Sequence, residues 1–232
     1  MHFAPEELFT ITLFGKEIPI TETVVVTWYI MAFLIVLAFI VRAKLRKMPE
    51  SGFQNVIELC IEAINNLVVQ VMGEERKGFA PYIFTVMAFL IIANSIALIG
   101  LRPPTADVNT TFALAIMTFI AVQYYGLKSR GLIGRIKDLS QPSFFMFPIH
   151  LLSELSRPLS LGFRLFGNIL GGLIVVELLY ELLGFFALGL PIVFHLYFDM
   201  FAAVIQSFIF VMLTMIFITE SMEGEGGEHH VN

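Results

Sequence analysis

The feature that most constrains this chain is the recurrence of long apolar runs without a single charge. One run lies between Glu22 and Arg42, a second between Lys77 and Arg102, and a third between Asp107 and Lys128. Each is close to the ~20 residues an α-helix needs to cross the hydrocarbon core of a bilayer. The remaining apolar region, Leu139 to Thr219, is too long for one helix, and Gly184 together with Gly189-Leu190-Pro191 divides it. A backbone in lipid must satisfy its own hydrogen bonds, so these runs have to be helices. The expectation is an all-α integral membrane protein, a single polytopic domain over residues 1–232. Its five transmembrane helices are expected at about 23–42, 79–101, 108–127, 147–183 and 191–220, the last two as a helical hairpin.

Composition removes the competing classes. Charged residues make up 14% of the chain, hydrophobic residues 57%, and the formal charge is −5. A soluble domain carries about 25% charged residues, so a soluble globular enzyme is excluded. A nucleic-acid partner is excluded too, because no net positive charge is present to neutralise phosphates. The single Cys60 rules out a disulfide framework or a multi-cysteine metal site. No GxxxxGK[ST] or HExxH occurs, so no nucleotide, cofactor or metal is expected. The N-terminus lacks a basic region followed by a small-residue cleavage site, so no signal peptide is read. No internal repeat supports an inverted-repeat transporter.

Residues 51–72 differ from the spans. Ser51 and Gln54 resemble a capping box. Apolar side chains then recur at 53, 56, 57, 60, 64, 67, 68 and 71, with Glu58, Glu62, Asn65, Asn66 and Gln70 opposite. Such a helix suits the membrane interface or a partner helix. Lys and Arg set the orientation. Most of the 14 fall in three clusters: Arg42 to Lys47, Arg76-Lys77, and Lys128 to Lys137. The positive-inside rule places these on the cytoplasmic side, with the N-terminus outside and the C-terminus inside. The segment between Arg42 and Lys77 then begins and ends on one side, which agrees with a surface-lying helix.

A few charges stand inside the apolar region. Arg164 lies in Leu161-Gly-Phe-Arg-Leu-Phe-Gly-Asn, and a charge at the bilayer centre costs about 2.5–3.5 kcal/mol on insertion scales. An arginine keeps its proton under any accessible condition, so it can supply a fixed field but cannot carry protons. Asn168 at i+4 shares its face. Gly162, Gly167, Gly171 and Gly172 thin the helix for another backbone, although ordinary small-residue packing accounts for them alone. Glu177 and Glu181 stack at i, i+4 toward the external end, about 20 Å of helix from Arg164 and so beyond pairing on one straight helix. His195, Asp199 and Gln206 form a stripe on the next segment, which antiparallel packing would bring beside the two glutamates. Carboxylates and imidazoles in such a setting can relay protons. Glu181 and His195 lie near the membrane edge, where a solvated interfacial role is the alternative. Ser153, Arg157 and Ser160 extend the Arg164 face toward the cytoplasm, and Pro158 should bend the helix there. Asp107 reads as a loop or N-cap residue.

Leu159-Ser-Leu-Gly-Phe-Arg-Leu-Phe-Gly-Asn resembles the signature of subunit a of the rotary F-type ATP synthase membrane sector. Pro104-Thr-Ala-Asp-Val-Asn-Thr-Thr and Ile205-Gln-Ser-Phe-Ile-Phe-Val-Met-Leu-Thr resemble two further blocks of that family, and the order and spacing cover nearly the whole chain. The resemblance implies a stator subunit in the bacterial plasma membrane, within the whole ATP synthase, with no catalytic site of its own. Its partners would be peripheral-stalk b subunits and a rotor ring of c subunits, each with a membrane-embedded carboxylate. The last two helices would form a long tilted hairpin against that ring. Arg164 matches the family's essential arginine, and Asn168 and Gln206 match polar residues beside it. Two offset aqueous half-channels would end near the ring on either side of the arginine. Relatives usually carry an ionisable residue nine positions after the arginine, where this chain has Leu173. Glu177, one turn further on, is the natural substitute. Asp199 stands where relatives often have His or Glu. A proton would pass Glu181, Glu177, His195 and Asp199 inward and leave along Ser153, Arg157 and Ser160.

Overall fold

The computed structural model describes residues 7–13, 16–44, 52–139, 147–183 and 200–223. Apolar runs become helices wherever the sequence places them. The helices are α1 (Glu22–Lys44), α2 (Gly52–Met72), α3 (Ala80–Ser95), α4 (Val108–Leu139), α5 (Phe147–Leu183) and α6 (Ala202–Glu223). Short 3₁₀ turns at Glu74–Phe79, Ile96–Ile99 and Pro104–Ala106 link them. All six helices are long and apolar enough to cross a membrane, counting the turns that flank α3, and α2 is the least apolar of them.

Ahead of α1 lies an element the hydropathy pattern did not announce. Strands β1 (Glu7–Leu13) and β2 (Lys16–Thr21) pair antiparallel, with Thr12 opposite Glu17 and Leu13 opposite Lys16. A helical bundle thus carries a two-stranded hairpin at one end. The expected helix limits also shift at several points. α3 tightens into a 3₁₀ turn after Ser95 and stops at Gly100, whose φ of 79° is a left-handed conformation that glycine adopts without steric cost. α4 continues past its apolar run to Leu139, broken once at Gly131. The start of the 191–220 segment and the proposed cap residue Ser51 fall outside the described residues. Gln54 itself is buried and donates from Nε2 to Glu58 Oε1 at 2.8 Å. Pro158 sits within a helix that is continuous from end to end.

The centre of the bundle is α6. Its Phe210, Val211, Met215 and Ile218 are fully buried against Val68 of α2, Ile83 and Leu90 of α3, Val122 of α4 and Leu165 of α5. Small residues permit this close approach. Gly126 of α4 lies so near α6 that an added Cβ would stand 3.1 Å from the Ser221 carbonyl oxygen. Two hydroxyls on α6 are satisfied within the helix: Ser207 donates to Ala203 O at 2.8 Å and Thr214 to Phe210 O at 2.9 Å. Two cations clasp the C-terminal end of α6. Arg130 Nε donates to Met222 O at 3.0 Å, and Arg76 Nη1 pairs with Glu223 Oε1 at 2.6 Å. Cations there complement the negative end of the helix dipole.

α1 is peripheral, joined through Val26 and Ile30 to Ala93 of α3. The rest of its length presents Tyr29, Phe33, Ile35 and Phe39 outward, which suits a lipid solvent and would be untenable in water. The predicted stripe on α2 divides into two halves. Ile64, Leu67, Val68 and Val71 pack on the bundle, whereas Val56 and Cys60 stay exposed.

Candidate functional site

The candidate site is built on α5, and its geometry follows from which face of that helix is committed to packing. Leu161, Leu165, Ile169 and Val176 are buried. Gly162 lets the Phe112 ring of α4 come within contact of its backbone, and Phe163 meets the same ring edge-on at 5.0 Å. With that side taken, Ser153, Ser160, Arg164, Gly167, Asn168 and Gly171 form an exposed ridge. A Cβ added at Gly167 or Gly171 would touch nothing within 4 Å. Arg164 and Asn168 each make no hydrogen bond or ion pair among the described residues. A permanent cation therefore projects from the middle of a 37-residue helix onto an open, glycine-lined face.

The other sequence-predicted residues are distributed unevenly around this ridge. Glu177 and Glu181 are exposed near the far end of α5. By helical phase, Glu177 stands about 140° around the helix from Arg164, so the two belong to different faces. Leu173 turns inward and lines a small cavity with Asn94, Pro103, Asn168 and Gly172. Gln206 is 5% exposed and sits inside the bundle rather than on the ridge. His195 and Asp199 lie outside the described residues, as does the place where they would meet Glu177 and Glu181. Arg157 is half-buried. Its Nη1 pairs with Glu220 Oε2 at 3.0 Å and its guanidinium lies 5.1 Å from the Phe217 ring centroid.

Two polar clusters were missed by sequence reasoning. On the Asn168 side of Arg164, Thr105 donates to Asn94 Oδ1, and Asn94 Nδ2 lies 3.4 Å from Ser207 Oγ. This buried set ties α3, the 104–106 turn and α6 together beside Asn168. Nearby, Asp107 caps α4 by accepting the Asn109 N–H at 2.9 Å, and it also accepts the Thr23 hydroxyl at 2.8 Å. Toward the other end, Gln123 Nε2 donates to Glu154 Oε2 at 3.1 Å across α4 and α5. Both residues line a cavity with Thr118, Arg157, Pro158 and Phe217. An amide inside an otherwise apolar span, as at Asn94 and Gln123, was the available signal, but its partner could not be read from one strand of sequence.

Chemically, the ridge can receive an anionic group carried by another helix, and the two clusters offer polar surroundings above and below it. Comparisons with known proteins bear on that arrangement. The family described as ATP synthase A chain matches residues 24–219. The chain is 36% identical over 224 residues to ATP synthase subunit a of Moorella thermoacetica, covering 96% of this chain and 99% of that one. It is 35% identical over 220 residues to a sodium ion specific ATP synthase subunit a of Propionigenium modestum, covering 88% and 75%. It is 38% identical over 207 residues to ATP synthase subunit a 1 of Pelobacter propionicus, covering 87% and 88%.

Proposed function

The chain belongs to the ATP synthase A chain family, and from that premise we propose that it is the proton-translocating stator subunit of a bacterial ATP synthase. It is a multi-pass protein of the bacterial membrane. The observation that carries the proposal is the exposed Arg164, unpaired among the described residues, on the glycine-lined ridge of α5. A bare guanidinium in lipid costs several kcal/mol. The cost is offset if the ridge faces a rotor ring of c subunits, each bearing a carboxylate. Peripheral-stalk b subunits would hold the chain static.

In this mechanism a proton from outside neutralises a ring carboxylate, which can then turn through lipid because a neutral acid avoids the charge penalty. After nearly a full rotation the site meets Arg164, whose field favours the carboxylate form and drives the proton off. Arg164 also separates two offset half-channels, so a proton cannot cross without turning the ring. The inward path uses Glu181, Glu177, His195 and Asp199, with Asn168 and Gln206 near its inner end. The exit runs along Ser153, Arg157 and Ser160. The N-terminus is outside and the C-terminus cytoplasmic. Five helices span, while α2 lies at the cytoplasmic interface with its wet face to the headgroups. The catalytic steps of ATP synthesis belong to other subunits.

The test uses inverted vesicles holding the whole complex. Arg164→Ala is expected to abolish ATP-driven proton pumping with assembly intact. Arg164→Lys should be nearly as impaired, since lysine lacks the guanidinium fork and can lose its proton. Retained pumping in Arg164→Ala would overturn the assignment. The same vesicles assayed with and without Na⁺ report the coupling ion, which the sodium ion specific relative makes worth measuring.

A further inference from the structure

We propose that Glu154 is the carboxylate that takes up the departing proton on the cytoplasmic side, an assignment that rests on the stator reading above. Between its cytoplasmic start and Arg164, α5 has only two ionisable side chains that can exchange a proton with water, His150 and Glu154. The exit-side serines, Ser153 and Ser160, can pass a proton along hydrogen bonds but cannot store one. Glu154 stands about 15 Å along the helix from Arg164 and about 10 Å from the cytoplasmic start of α5. It therefore divides the exit into two shorter steps.

Glu154 stands at a small cavity between α4 and α5. Gln123 donates to one carboxylate oxygen at 3.1 Å and fixes its direction. Arg157 lines the same cavity and is neutralised by Glu220 at 3.0 Å. The Thr118 hydroxyl also lines the cavity and is 3% exposed, with the Tyr82 side chain as its hydrogen-bonding neighbour. The transfer balances simply. The ring carboxyl group gives its proton to water, that hydronium protonates the Glu154 carboxylate, and the neutral acid returns the proton to cytoplasmic water by way of His150.

The test is potential-driven proton flux through the membrane sector in vesicles stripped of the ATP-hydrolysing sector. Glu154→Gln keeps an oxygen that can accept from Gln123, so packing is retained while the proton site is lost. Flux is expected to fall roughly tenfold or more, because a lost proton-transfer group typically costs at least that much. Glu154→Asp should restore much of it, and added formate should partly rescue Glu154→Gln without affecting the parent chain. Undiminished flux in Glu154→Gln would overturn the proposal. So would a loss that neither aspartate nor formate relieves, since that is the signature of a structural role. Arg164→Ala run alongside separates the two readings: if it still pumps in the intact complex, the stator assignment fails, whatever Glu154 does.

Discussion

Asp107 joins three parts of the chain through one carboxylate. It caps α4 through the Asn109 N–H, accepts the Thr23 hydroxyl at the head of α1, and follows directly on the Pro104–Ala106 turn. Thr23 is fully buried and Asp107 is 6% exposed, so neither group can turn to water if the other is removed. Asp107→Ala is expected to cost about 1 kcal/mol through the lost N-cap, because the Thr23 hydroxyl keeps Thr21 Oγ1 as a partner at 2.8 Å. Asp107→Asn should cost much less, because its amide oxygen can accept from Asn109 while its NH₂ donates to Thr23. Denaturation of the purified chain in mild detergent, followed by loss of helicity, reads the difference. Equal midpoints for Asp107→Ala and the parent chain would show that the cap is dispensable.

Among the elements, the helices were legible because a bilayer-length uncharged run has one stable outcome. α5 carries Glu154, Arg157, Arg164, Glu177 and Glu181, so its end at Leu183 was legible from the Gly184 that follows rather than from an uncharged run. The β1–β2 hairpin was not legible, since its strands are short and its apolar residues few. The pairings of Asn94 with Ser207 and Gln123 with Glu154 were equally hidden, because they join residues on different helices. Arg164 was legible as an anomaly, but only the packing of Leu161, Leu165 and Ile169 fixes which way it faces. The glycines, alike in sequence, separate by role. Gly126→Leu would drive side-chain atoms into the backbone of α6 at Ser221, and overpacking of this kind costs about 1–3 kcal/mol. Gly171→Leu meets open space. The expected contrast is that Gly126→Leu destabilises the isolated chain in detergent, while Gly171→Leu leaves its stability unchanged and impairs pumping in the assembled complex. Unimpaired pumping in Gly171→Leu would mean that no ring lies against this face.

At the scale of the whole molecule, the bundle is complete on the α6 side and incomplete on the α5 ridge. Phe210, Met215 and Ile218 of α6 are enclosed by the helices around them. The ridge is different in kind, because exposed apolar side chains such as Val175, Leu178 and Leu182 share that face with Arg164, which is unpaired among the described residues. Lipid can cover the apolar members but not the cation, for which it offers no counter-charge. A self-contained channel would instead have to enclose its charged group within its own helices, facing a water-filled path. The two architectures predict opposite behaviour for the purified chain in liposomes. If the ridge is a docking face, the chain alone should conduct neither H⁺ nor Na⁺ above the background of empty liposomes, and flux should appear only when the rotor and stalk subunits are reconstituted with it. Substantial flux through the chain alone would favour the channel. Arg164→Leu sharpens the comparison: removing the uncompensated charge should make the isolated chain easier to insert and to keep in detergent, while the reconstituted complex loses coupled transport.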